Sequence, residues 1–581
     1  LQKKRRLSKS PLRRLIAYLK PYKALFAAAF FMTLALSFLG PARPYLTQYV
    51  LDYPLARGDL SGVRFWIAVM VALTIVQTLV NYWQISWSHR LGESVVDDLR
   101  RQVFDHILRL RTAYFDRTPV GALQTRVVSD IETLNALFSE GFISIFGELL
   151  QLFTLLALMF YTDYRLTLIS LAPMPLLVLA TYVFKVKVNA AHRRVRKAVA
   201  ELNTFLQEHI TGMLIVQIFN KETQEHDKFK AINARHRDAY LDSIFYHSVF
   251  FPVVEVISAM SMAALIWYGC GEALEGRTTF GAMVAFIMYL TMFFRPIRML
   301  ADRFNTLQMG LVSGERIFAV LDTQEFIADG EREDILPVSP KIEFRDVRFS
   351  YKNETEVLKG ISFVVEPGTT TALVGATGSG KSTVVNLLMR FYEFSQGTIL
   401  INDVDIKTIK LDKLRACMGL VLQDVFLFSG TIRDNVTLFN DDISEAEVKR
   451  AAELIGADAF IERLPGGYEF EVGERGVNLS TGQRQILAFM RVLVYDPKIL
   501  LLDEATANVD PESEAMIQNA IAVALRGRTS IVVAHRLSTI QKAEQILVMR
   551  HGEIVESGNH RTLSAADGYY HKLYRLQYAT T

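Results

Sequence analysis

Six apolar runs, at about residues 24–50, 63–88, 140–161, 165–186, 245–270 and 279–300, are each long enough to cross a bilayer as a helix. All of them lie in roughly the first 300 of the 581 residues, so half of the chain is committed to an all-α membrane unit and the other half must fold elsewhere. The composition agrees: 50% of residues are hydrophobic and only 22% charged, with the shortage of charge confined almost wholly to the first 300 positions. A net charge of +3 excludes a nucleic-acid binder, and the basic patches are read as topology signals and lipid-headgroup contacts.

The connections differ in length. Those near 51–62, 162–164 and 271–278 are short, whereas 89–139 and 187–244 are long, charged and helical in pattern. Lysine and arginine crowd the N-terminal stretch and both long loops, which places these segments and both termini on the cytoplasmic side. Pro11–Tyr22 alternates basic and apolar residues and is expected to lie along the membrane surface. Breaks at Thr118-Pro-Val-Gly121 and Thr211-Gly-Met213 each suit a short transverse helix at the bottom of a helical hairpin. Among the few polar residues inside spans (Arg43, Asn81, Glu148, His247, Glu255), Glu148 and Glu255 are the candidates for lining a cavity, the alternative being a hydrogen bond to a neighbouring helix. Cys270 and Cys417 form no metal or redox pattern and read as two buried thiols. The basic, polar N-terminal residues argue against a cleavable signal peptide.

An acidic, irregular linker is expected at 316–340, dividing a membrane domain (1–315) from a second domain (341–581) in which strands alternate with helices. That second domain carries Gly375-Ala-Thr-Gly-Ser-Gly-Lys381-Ser382 between the apolar run 371–374 and the helical pattern 383–391. In such a loop glycines turn successive N–H groups toward a β-phosphate, Lys381 reaches the β- and γ-phosphates, and the Ser382 hydroxyl ligates Mg²⁺. The nucleotide-binding candidates here are Gly375, Thr377, Gly378, Ser379, Gly380, Lys381, Ser382 and Thr383. Downstream, the apolar strand 499–502 ends in Asp503, suited to hold Mg²⁺, and Glu504, suited to polarise the attacking water; His535 follows strand 530–534, placed to contact a γ-phosphate.

With Leu479-Ser-Thr-Gly-Gln-Arg-Gln485 added to these, the chain resembles an ATP-binding cassette (ABC) exporter half-transporter over its whole length: a six-helix membrane domain followed by an α/β phosphate-loop ATPase domain. The resemblance implies further roles. Tyr351 would stack on adenine, Gln423 would sense Mg²⁺, Asp510 would lie in the loop crossing between two nucleotide sites, and His535 would be the switch histidine. Val472–Gly476 would touch the partner's intracellular loops, and 118–126 and 211–221 would carry two coupling helices, the second docking on the opposite subunit. Ser480, Thr481, Gly482 and Gln483 would face the γ-phosphate of an ATP held by a partner's phosphate loop.

One cassette and six spans require a second half-transporter. Thr481 stands where the family usually has glycine, and a β-branched residue tolerates glycine-specific backbone geometry poorly. An intact loop, Glu504 and His535 beside that altered signature suggest one half of a heterodimer, with a homodimer as the second reading. The expected activity is ATP-driven, multidrug-type export of hydrophobic or amphipathic compounds. A lipid flippase or peptide exporter shares the architecture, and an ATP-gated channel or membrane sensor is the reading of another class. Six spans exclude a soluble cassette ATPase, and importers generally place membrane and cassette domains on separate chains. A bacterial inner membrane is the expected location.

Overall fold

The computed structural model describes residues 11–333, 339–351, 355–503, 511–534 and 536–578. The chain divides into two compact units, Leu1–Leu108 with Gly121–Thr323, and Arg109–Val120 with Gln324–Thr581.

The first unit is helical. After the short helix α1 (Pro11–Ala17), five helices among the described residues are long and apolar enough to cross a membrane: α2 (Lys23–Leu55), α3 (Leu60–Arg109), α5 (Val120–Thr162), α6 (Tyr164–Thr211) and α8 (Glu222–Leu274). The short helices α4 (Thr112–Phe115) and α7 (Met213–Ile218) interrupt the long loops. A final helix, α9 (Phe280–Leu321), has a shorter apolar stretch, Phe280–Pro296, where the sixth span was expected. The long charged loops are therefore continuations of the spanning helices. The tight reversal at 162–164 is set by Asp163, whose carboxylate accepts from the N–H of Arg165 (2.8 Å) and Leu166 (3.2 Å) and so caps α6.

Small residues decide where these helices touch, since lipid gives apolar side chains no reason to prefer protein. Ala29, Thr33, Ser37 and Gly40 of α2 are buried along one stripe, and Ser37 Oγ donates to the carbonyl of Gly147 on α5 at 3.2 Å. A Cβ on Gly147 would stand 2.3 Å from Thr33 Cγ2, so glycine is needed for that approach. In the same way α8 buries Ser243, Val254, Ile257, Ser261, Leu265 and Gly269 on one face, packed chiefly along α6. Cys270, expected to be buried, is exposed on α8, one residue past that face, and Cys417 is only half-buried.

Helix α9 runs six residues into the expected linker. Ile317, Phe318 and Val320 are buried, the Arg14 guanidinium lies 4.0 Å over the Phe318 ring, and Arg14 pairs with Asp322 at 2.6 Å. Apolar burial against α1 thus carries the helix to Leu321.

The second unit contains a six-stranded sheet of order β12-β11-β3-β10-β9-β6, formed by β3 (Thr370–Val374), β6 (Met418–Val421), β9 (Ile499–Asp503), β10 (Thr529–Val533), β11 (Gln545–Arg550) and β12 (Glu553–Gly558). All its pairings except β11–β12 are parallel. The inner strands are buried and mostly apolar because helices and a second sheet cover both faces, with Thr371, Thr529 and Ser530 buried among them. That second, antiparallel sheet has order β2-β1-β4-β5, from β1 (Ile342–Phe349), β2 (Leu358–Val365), β4 (Gln396–Ile401) and β5 (Val404–Asp405), and a two-stranded ribbon pairs β7 (Gly430–Thr431) with β8 (Glu471–Val472). Phe344 and Phe363, paired across β1 and β2, stack at 4.5 Å.

Candidate nucleotide-binding site

Ligands of parallel α/β sheets bind beyond the carboxyl ends of the strands, and the candidate residues converge there. The loop Gly375–Gly380 leaves β3 and enters α10 (Lys381–Leu388). Register places Val533 of β10 opposite Asp503 of β9 and opposite Leu373 of β3, so Asp503 ends its strand two strands from the loop. Gln423 lies two residues past β6, exposed, on the far side of β9.

Three glycines shape the loop for different reasons. Gly378 (φ +79°) and Gly380 (φ +103°) occupy left-handed backbone that other residues resist. At Gly375 the demand is space, since a Cβ would stand 2.2 Å from the carbonyl oxygen of Met549. The loop is tied to the β11–β12 turn by the Gly552 N–H, which donates to the Ser379 carbonyl at 3.2 Å. Lys381 is buried, and its ammonium donates to the carbonyls of Gly375 (2.8 Å) and Ala376 (3.0 Å). Burial pushes its pKa below the usual lysine range, and the Asp503 carboxylate opposes that shift. Ser379 Oγ is buried without a hydrogen-bond partner, a polar atom that an anion in the loop would satisfy. Ser382 is exposed at the first turn of α10, while Thr383 is buried and its hydroxyl lies 3.1 Å from that of Tyr351. Thr377 is exposed at the tip of the loop.

Tyr351 is partly exposed and packs edge-on against Phe349 (4.8 Å) and Tyr392 (5.0 Å). Tyr392, which sequence reasoning did not single out, donates its hydroxyl to Asp116. Burial and that carboxylate both push its pKa upward. Asp116 directly follows α4, and Arg111 just before α4 pairs with Glu325 at 3.0 Å while donating its backbone N–H to the Glu325 carbonyl at 2.9 Å. The residues 109–120 are thereby held within the ATPase unit. The short helix in this loop is thus Thr112–Phe115, upstream of the expected 118–126. Pro119 explains the shift: it disfavours helical backbone at Thr118 and sits just before α5, which starts at Val120. The second, α7, falls within the expected 211–221, and its Leu214, Ile215 and Ile218 are each more than half exposed.

The signature segment starts helix α13; before it come α11 (Ile432–Thr437) and α12 (Glu445–Ile455). In α13 (Thr481–Tyr495), Ser480 is the N-cap: its Oγ accepts from the Gln483 N–H at 3.2 Å, and the Gln483 side chain accepts from the Ser480 N–H at 2.9 Å. Gly482 is buried, and Arg484 donates to the Leu479 carbonyl (2.8 Å) and to the Thr481 hydroxyl (3.2 Å). Thr481 occupies the first helical position and is not among the residues with positive φ, so the backbone conflict expected for a β-branched residue does not arise here. Glycine-only geometry is not required at this position. The Thr481 side chain instead projects, exposed, from the first turn. Glu504, Asp510 and His535 lie outside the described residues.

In the membrane unit, Glu148 of α5 faces Arg303 of α9 at 3.6 Å, a partner that the sequence pattern did not reveal because the two are 155 positions apart. Glu255 is exposed on α8, beside the buried Val254. Neither lines the apolar groove of about 690 Å³ between α2 and α5, whose walls include Phe38, Tyr45, Phe153 and Tyr161.

Comparison with known proteins places both halves. The family described as "ABC transporter transmembrane region" matches residues 26–297, and that described as "ABC transporter" matches 358–507. The chain is 36% identical over 526 residues to "Probable multidrug resistance ABC transporter ATP-binding/permease protein YheH" of Bacillus subtilis, covering 89% of this chain and 77% of that one. It is 33% identical over 567 residues to an "ATP-dependent lipid A-core flippase" of Syntrophus aciditrophicus, covering 97% and 94%. Among solved structures, "Structure of a bacterial Atm1-family ABC exporter with ATP bound" superposes with a TM-score of 0.78 at 28% identity, over 96% of this chain and 99% of that one.

Proposed function

The chain belongs to the ABC transporters, as an integral membrane half-transporter for ATP-driven export with one helical membrane domain and one ABC ATPase domain, and from that premise we propose that its cargo is a hydrophobic or amphipathic compound, handled as in multidrug-type exporters. The observation that carries this reading is the 36% identity over 526 residues to the multidrug-resistance relative, and the open, aromatic-lined groove between α2 and α5 offers apolar contact in keeping with it. Efflux of lipid is the second reading, favoured by the flippase relatives.

The roles of the site residues are part of the proposal. Lys381 and the loop N–H groups hold the β- and γ-phosphates, Thr377, Ser379 and Thr383 support the loop, and Tyr351 packs on adenine. Among the described residues no group of three or more His, Cys, Asp or Glu forms a metal site. The donors fit Mg²⁺ all the same, because this hard cation takes few protein oxygens and completes its shell with phosphate and water; here they are Ser382, Asp503 and Gln423. When bound, Mg²⁺ supplies charge neutralisation on the phosphates. Glu504 polarises water, His535 contacts the γ-phosphate, and Asp510 lies at the seam between two cassettes.

Exporters of this architecture are dimeric, and the exposed apolar residues of α7 fit burial against a second chain. Ser480, Thr481, Gly482 and Gln483 then complete the partner's site from a helix N-terminus. We favour a related half-transporter as that partner, since the branched Thr481 side chain projects from the turn that a γ-phosphate would approach. The unstrained backbone of Thr481 favours the second reading, a homodimer. The proposed location is a bacterial inner membrane with the ATPase domain cytoplasmic.

The test is ATP-dependent uptake of a fluorescent amphipathic dye into inside-out vesicles. Accumulation against a gradient supports export of such compounds. Flux that only follows the gradient would support an ATP-gated channel, and movement of labelled lipid without dye would support the flippase.

A further inference from the structure

Stacking on a base needs a ring that is already in place, because a tyrosine free to turn about its side-chain torsions must be ordered at each binding event. Tyr351 lies two residues past the end of β1, outside the strand ladder. Its anchors come from later in the chain. The Tyr351 hydroxyl lies 3.1 Å from that of Thr383, and the Asn386 side-chain amide donates to it at 3.5 Å. Thr383 and Asn386 are three positions apart on α10 and so share one face of that helix. The rings of Phe349 and Tyr392 stand at 82° and 85° to the Tyr351 ring, with centroids 4.8 Å and 5.0 Å away. The ring is thus held at its far end and flanked by two others, yet Tyr351 stays 46% exposed and has surface to offer a planar ligand.

The direction of the Thr383 hydroxyl is informative. A threonine in a helix can turn its hydroxyl to the carbonyl four residues back. Here that carbonyl belongs to Ser379 and accepts from the Gly552 N–H at 3.2 Å, while the buried Thr383 directs its hydroxyl at Tyr351. Thr383 follows Lys381 by two positions, on the helix that leaves the phosphate loop. The contact therefore ties the ring to that loop and fixes the spacing at which the two ends of a nucleotide are received.

We propose that Thr383, assisted by Asn386, is a positioning residue that presets the Tyr351 ring for a purine base at a fixed distance from the phosphate loop. The proposal rests on the reading of Tyr351 as the residue that packs on adenine, and adds what orders the ring before ATP arrives. The test is equilibrium titration of the purified full-length protein with ATP and, separately, with tripolyphosphate, which has phosphates but no base. Tyr351→Phe keeps the ring and removes its hydroxyl; Thr383→Val keeps the side-chain shape and removes the partner. Each should weaken ATP binding about twofold to tenfold, the ordering cost of one side chain, and leave tripolyphosphate binding unchanged. Both delete the same contact, so the double variant should bind ATP no more weakly than Tyr351→Phe alone. Thr383→Ser restores a hydroxyl and should return ATP affinity to that of the unaltered protein. Equal loss of ATP and tripolyphosphate in Thr383→Val would overturn the proposal, because it would put the effect on the phosphate loop itself. Unchanged ATP affinity in Tyr351→Phe and Thr383→Val, with a loss of about fivefold to a hundredfold in Tyr351→Ala, would overturn it and leave the stacking reading standing. Unchanged ATP affinity in Tyr351→Ala would remove the stacking reading, and the proposal with it.

Discussion

Replacing Thr481 by glycine separates two accounts of the signature segment by the sign of one measurement. If threonine were forced into glycine-like backbone, Thr481→Gly would release about 1–3 kcal/mol of strain and stabilise the ATPase domain. The structure instead puts Thr481 at the first position of α13, in right-handed backbone, with its hydroxyl accepting from Arg484 at 3.2 Å. Glycine there loses about 0.5 kcal/mol through the greater freedom of the unfolded chain. Loss of the exposed hydrogen bond costs about 0.5–1 kcal/mol more. The expected net effect is destabilisation by about 1–1.5 kcal/mol. For a domain of this size it lowers the melting temperature by roughly 2–6 °C. Differential scanning calorimetry of the full-length protein, following the ATPase-domain transition, reads it directly. A rise in that transition would refute the backbone argument. If the transition falls while ATP turnover rises, the Thr481 side chain itself obstructs the shared site, and the heterodimer reading gains.

The phosphate-loop glycines should form a graded series in nucleotide affinity measured by equilibrium titration. Gly378→Ala meets nothing within 4 Å and bears only left-handed strain, of order 1 kcal/mol; Gly380→Ala adds a 2.8 Å contact with Leu358, and Gly375→Ala meets fixed backbone at 2.2 Å and should be the most damaging. Equal effects at Gly375 and Gly378 would contradict this order. Glu504→Gln should abolish most ATP turnover while leaving ATP binding intact, and near-normal hydrolysis would remove Glu504 from its proposed role. Tyr392→Phe and Asp116→Ala each break the hydroxyl–carboxylate bond between the ATPase core and the residues following α4. Transport per ATP hydrolysed should fall in both, with nucleotide affinity little changed; unaltered coupling would reduce the bond to a structural detail.

The order of domains and the phosphate loop were legible because each rests on local pattern: apolar runs of spanning length, and glycines at fixed spacing between a strand and a helix. Other features depend on partners distant in the chain. The continuation of α9 to Leu321 reflects packing against α1, some 300 residues earlier. The position of the short helix Thr112–Phe115, upstream of 118–126, is joined by contacts from Glu325 and Tyr392, which local breaks at Pro119 and Gly121 could not announce. Thr481 shows the same division. Its departure from the family pattern was visible in the one-dimensional string, but its consequence is set by backbone dihedrals, and these follow from the Ser480–Gln483 cap and the burial of α13. Sequence by itself determined which segments could enter a membrane and which loop could hold phosphate, because those are properties of short stretches. The tertiary structure alone decided which charges pair, which helix ends are pinned and which side chain meets a strained backbone, because each requires residues far apart in the chain to be brought within a few ångströms.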